Sequence, residues 1–138
     1  MHQRFRAAVE SKNLDNVEEL LADDVVFTSP VAFAPYPGKA VTAAILRGVL
    51  RVFEDFRYVR EIGAAQGPDH ALVFEATVDG LQLTGCDFLH FDDDGRIDEF
   101  TVMVRPLSAA SAWAARMAEQ FPRIQREARE ALERKAAQ

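Results

Sequence analysis

The chain has 138 residues, 49% of them hydrophobic and 28% charged, and carries a net charge of −6. That length fits one domain with one core, and an acidic balance with no basic face argues against nucleic-acid binding. The single cysteine, Cys86, excludes an intramolecular disulfide and fits a reducing compartment. No apolar run reaches the roughly 18 residues that span a bilayer, and the charged start, Met-His-Gln-Arg-Phe-Arg, lacks a signal peptide's apolar stretch. The expected location is cytoplasmic, away from membranes.

In chain order, residues 2–22 read as helix. Phe5, Val9, Leu14, Val17, Leu20 and Leu21 form its apolar stripe, with a break near Asn13. A restart follows, with Asp15 as cap and Glu18 three residues on, as in a capping box. Val25–Thr28 reads as a short strand ended by Ser29-Pro30. Residues 31–38, with prolines at 35 and 37 beside Phe33 and Tyr36, read as a stiff loop. Residues 39–54 suit an amphipathic helix burying Val41, Ile45, Val49, Val52 and Phe53.

The period then switches to two. Strands are expected over 56–62, 71–78, 81–91 and 97–105, with turns at Gly67–His70, Asp79-Gly80 and Asp93–Arg96, and Pro106 as the stop. The tail from Ser108 returns to helix, with Trp113, Met117, Phe121, Ile124, Ala128 and Leu132 on one stripe and Pro122 expected to kink or restart it. Its function is open between a lid, a wrap around a second subunit and a docking helix.

Alternation assigns faces. Leu72, Phe74, Ala76 and Val78, then Leu83, Asp87 and Leu89, then Phe100, Val102 and Val104 face the helices. Asp87 is the anomaly in that series, because a buried charge is costly unless it is paired, hydrogen-bonded or protonated. It is therefore the first functional candidate, with a carboxyl pKa raised by desolvation. The alternative is a structural Asp bonded to backbone or to Tyr36. The opposite face, with Phe88, His90 and Met103, is apolar enough to suggest a homodimer across the sheet. No glycine-rich phosphate loop or metal-spaced His/Cys/Asp set occurs, so neither cofactor nor metal is expected. Asp92-Asp93-Asp94-Gly95 lacks the alternate ligands of a calcium loop.

Helices followed by a curling antiparallel meander give an α+β fold. The segments Ala22-Asp23-Asp24-Val25-Val26-Phe27-Thr28-Ser29-Pro30, Gly38-Lys39 and Asp87-x-x-x-Phe91-Asp92-x-x-Gly95-Arg96-Ile97 resemble the nuclear-transport-factor-2-like superfamily, in its SnoaL-like and ketosteroid-isomerase-like branches. The resemblance implies a cone-shaped curved sheet with the N-terminal helices on its concave face, a deep apolar pocket and frequent dimerisation. Residues 1–107 would form that domain, with 108–138 as a helical extension of it. Asp87 falls where the isomerases carry their oxyanion-hole acid. Ser29 stands where they carry the general-base Asp, and Phe5 where they carry a tyrosine.

Steroid isomerisation by that mechanism is therefore not expected. The reading is a pocket for an apolar carbonyl compound, with Asp87 as acid or hydrogen-bond donor and Tyr36 and Ser29 assisting. Phe27, Phe33, Ile45, Phe74, Leu89, Phe100 and Val102 would line it. Cofactor-independent isomerisation, cyclisation or dehydration competes with a non-catalytic binding or interaction role. A carboxylate from Glu54 or Asp55 beside Asp87 would favour turnover.

Overall fold

The computed structural model describes residues 2–137. Two short helices, α1 (His2–Glu10) and α2 (Leu14–Glu19), lead into strand β1 (Leu21–Thr28) and the two-residue β2 (Tyr36–Pro37). Helix α3 (Lys39–Val52) precedes strands β3 (Glu54–Ile62), β4 (Asp69–Val78), β5 (Leu81–Phe91) and β6 (Ile97–Arg105), and α4 (Leu107–Ala137) closes the chain. The six strands make one sheet in the order β2-β1-β6-β5-β4-β3. Its pairings are antiparallel except β1 with β6, which run parallel. No helix is long and apolar enough to cross a membrane among the described residues.

The hairpins follow their turn chemistry. Asp79 and Gly80 both have positive φ (50° and 78°), as the two-residue turn between twisted strands requires. At the next hairpin the Asp92 carboxylate accepts from the backbone N–H groups of Asp94 and Arg96, each at 2.9 Å.

Several local expectations are corrected. The break expected near Asn13 is present, with Lys12 at positive φ (59°), but Asn13, not Asp15, caps α2 by accepting from the Asn16 N–H at 3.2 Å. Asp15 pairs instead with Arg47. β1 begins at Leu21 rather than Val25. Its register against β6 shifts between Leu21 and Val26, leaving Asp23 and Asp24 exposed and hiding the alternation from a sequence reading. Pro122 lies inside an unbroken α4; it is exposed, so water can take the carbonyl its missing N–H leaves free.

The inward face is as alternation requires. Leu72, Phe74, Ala76, Val78, Leu83, Leu89 and Phe100 are buried, and Asp87 among them is 6% exposed. The outer face leaves Phe88 and Met103 exposed. α3 is buried over Thr42–Leu46 and at Gly48, a wider arc than one sheet would cover. The reason is α4, which packs on its other side: a Cβ at Gly48 would lie 2.8 Å from Ile124 Cδ1. The tail is thus a layer of the core, with Ala109, Trp113, Met117, Ile124 and Ala128 buried.

Candidate active site

β5 presents Leu83, Gly85, Asp87 and Leu89 in succession towards the helices. Asp87 sits between Leu72 of β4 and Val102 of β6, two apolar neighbours that offer it nothing. Gly85 pairs with Phe74, and the missing side chain leaves the space that the Phe74 ring fills. From β3, one strand beyond β4, Tyr58 reaches over this floor and its hydroxyl donates to Asp87 Oδ2 at 2.6 Å. Tyr58 is held by rings on several sides: Phe56 at 5.0 Å and Phe74 at 6.4 Å, both edge-on, and Phe5 of α1 at 6.5 Å.

This environment sets the protonation states. Burial raises the Asp87 carboxyl from 3.8 to about 7, with the Tyr58 hydrogen bond pulling the other way. Burial, and then the Asp87 charge, push the Tyr58 phenol well above its ordinary value. Near neutrality Tyr58 is therefore a fixed donor, and Asp87 is present both as acid and as carboxylate.

The pair faces a cavity walled by Phe5, Val9, Phe27, Phe53, Phe74, Phe100, Val102 and Trp113, among others. The cavity volume is about 30 Å³. That is room for water, not for a substrate; a ligand enters only as the aromatic walls shift. Among the described residues, Tyr58 and Asp87 are the only ionisable groups in these walls.

Of the residues singled out by sequence, Phe27, Phe74, Phe100 and Val102 join Asp87 around the cavity. Leu89 is core rather than cavity wall. Phe33 is fully exposed, so it does not line the pocket. Tyr36 does not reach Asp87: it packs against Phe121 of α4 with ring centres 5.8 Å apart and the rings tilted by 40°. Ser29 Oγ accepts from the Val31 N–H at 3.2 Å. Tyr36, Ser29 and Ile45 meet instead in a separate outer groove. Glu54 and Asp55 are exposed, the latter turned to the far side of the sheet, so neither supplies a second carboxylate.

Sequence reading missed Tyr58 and the cavity role of Trp113. The signal for Tyr58 was its place two after Phe56, with Arg57 between them. On the outer face, ligand atoms of His90, Asp98 and Glu99 lie within 4.8 Å of one another and could hold a metal. His90 Nδ1 is already 2.6 Å from Asp98 Oδ1, and the group is on the opposite side of the sheet from Asp87.

No curated protein matches the sequence at a significant level. Among solved structures, a steroid delta-isomerase from Pseudomonas aeruginosa is 42% identical, covers 86% of each chain and superposes with a TM-score of 0.81. A cystatin-like-fold protein from Silicibacter pomeroyi is 30% identical over 91% of this chain and 92% of its own, with a TM-score of 0.80. A Pseudomonas putida structure assigned as a polyketide cyclase shares the fold at 20% identity, 78% and 90% coverage and a TM-score of 0.63. The profile of the SnoaL-like domain matches residues 2–100, and the chain belongs to that family.

Proposed function

We propose that this protein binds a small apolar carbonyl compound in the inner cavity and moves a proton on it without a cofactor, Asp87 acting as both donor and acceptor. The observation that carries this reading is the buried Tyr58–Asp87 pair, with a carboxyl poised at about 7. An acid/base group works best when its pKa lies near the working pH. As carboxylate, Asp87 takes a proton from the carbon beside the carbonyl. Its negative charge passes to the enolate oxygen, and Tyr58, now facing a neutral carboxyl that accepts less strongly, turns its O–H to that oxygen. Return of the proton to a different carbon completes an isomerisation; attack of the enolate on a second carbonyl completes a cyclisation.

One group therefore serves where a separate base at Ser29 would otherwise be needed. The 42% identical relative is named a steroid delta-isomerase, which makes double-bond isomerisation the first class to assay. A second copy across the outer face, through Phe88, His90 and Met103, belongs to the same proposal.

The test is α-proton exchange into β-tetralone in deuterated water, followed by NMR. Exchange above background should rise through about pH 7 as Asp87 ionises, and Asp87→Asn should lower it roughly a hundredfold or more. Tyr58→Phe removes the hydrogen bond that holds the Asp87 carboxyl down, so the rising limb should move to higher pH. A non-catalytic binding role is the second reading, favoured by the lack of another carboxylate or histidine in the cavity walls among the described residues. Binding of the ketone with no exchange above background would establish it.

A further inference from the structure

The inner cavity is too small for the ligand it would serve, yet a second space adjoins it. The outer groove, where Ser29, Tyr36 and Ile45 meet, admits water centres over about 220 Å³. Phe27 and Trp113 wall both spaces, so two side chains form the partition. Trp113 comes from α4, beyond the stretch matched by the family profile. The residue is only 2% exposed and its ring lies against Phe53 at 5.9 Å, yet its indole N–H has no hydrogen-bond partner among the described residues. A buried donor left alone costs free energy that a structure seldom carries without use.

Resting on the functional reading above, we infer that the outer groove is a second subsite, continuous with the cavity past Trp113, that takes the oxygen-bearing far end of an elongated apolar ligand. The carbonyl end lies at Asp87, the hydrocarbon body passes between Phe27 and Trp113, and a distal hydroxyl or keto oxygen meets the groove's donors. Three donors are at hand. Ser29 Oγ, which accepts from Val31, keeps its own proton to give; Tyr36 carries a phenol at the groove wall; and the Trp113 N–H gains its missing partner when the ring turns to admit the ligand. The substrate class is thereby narrowed to compounds with oxygen functions at both ends of an apolar frame.

The experiment compares three phenols as carbonyl-end mimics by calorimetry: para-cresol, para-cyclohexylphenol, and the same cyclohexyl compound with a hydroxyl on its far ring carbon. The hydroxylated compound should bind about tenfold tighter than its parent, the worth of one hydrogen bond. That gain should shrink in a Ser29→Ala/Tyr36→Phe double variant and in Trp113→Phe, while para-cresol binding stays unchanged in the double variant. Because Trp113 is the sole tryptophan, its single indole N–H resonance should move downfield with the hydroxylated compound. Equal affinity of the two cyclohexyl phenols, or a gain undiminished in the double variant, overturns the inference and leaves the Asp87 reading standing. If para-cresol itself fails to bind, the reading at Asp87 falls and the inference falls with it.

Discussion

Gly85→Ala is expected to destabilise the protein by about 3 kcal/mol or more, at the upper end of what overpacking a core costs. A Cβ there would stand 2.6 and 2.7 Å from Phe74 Cε2 and Cε1 and nearer still to Cζ. Relief would require the whole ring to move, and it cannot do so freely. Phe53 and Phe56 lie 5.7 and 4.9 Å from it and Tyr58 stands edge-on to it. The same displacement would push Phe74 into the cavity and disturb the Tyr58–Asp87 bond, so ligand binding should fall beyond what lost stability explains. Urea unfolding checks the first part; a change below about 0.5 kcal/mol, the level of a neutral surface substitution, would show that the Phe74–Gly85 packing is looser than described.

Asp87→Asn should change stability with a sign that depends on pH. The wild-type carboxyl is raised from 3.8 to about 7, so between those pH values the folded state keeps a proton that the unfolded state has released. Stability contributed by the protonated group is complete below about pH 4 and is lost as pH rises to about 7. At about 1.36 kcal/mol per pH unit the loss amounts to about 4 kcal/mol. Asparagine cannot ionise, so this slope should disappear from the variant. Its amide oxygen can still accept from Tyr58, but its NH₂ group enters an apolar wall without an acceptor, at a cost of about 1–3 kcal/mol. The variant should therefore be less stable than wild type at about pH 4 and more stable at about pH 8. Parallel stability–pH curves for the two proteins would contradict this.

The sheet was legible because its punctuation is chemical. Asp79-Gly80 and Pro106 bound β5 and β6, and strict alternation put Asp87 on the buried face. The start of the sheet was not. Asp23 and Asp24 occupy an irregularity in β1, which breaks the alternation that a strand is recognised by. The site was half legible for a related reason. Asp87 announces itself as a carboxylate among leucines, whereas Tyr58 looks like any tyrosine in a strand, since register shifts in β3 obscure which of its residues face inward. Its pairing with Asp87 depends on β4 lying between β3 and β5 and on Gly85 making room, which are properties of the folded sheet. Tyr36 had the right functional group in the wrong place. Trp113 lay on a stripe that could be read as ordinary packing, and only the position of α4 over the cavity makes it a wall.

The most direct measurement is a carboxyl-carbon NMR titration of Asp87, alone and with para-cresol bound. The account predicts a midpoint near 7 in the free protein, a higher one in Tyr58→Phe, and a clear response of the Asp87 resonance to the phenol. A midpoint near the ordinary ~3.9 of an aspartate, unmoved by Tyr58→Phe or by para-cresol, would mean a solvated carboxylate and would remove the basis for acid–base chemistry in this cavity.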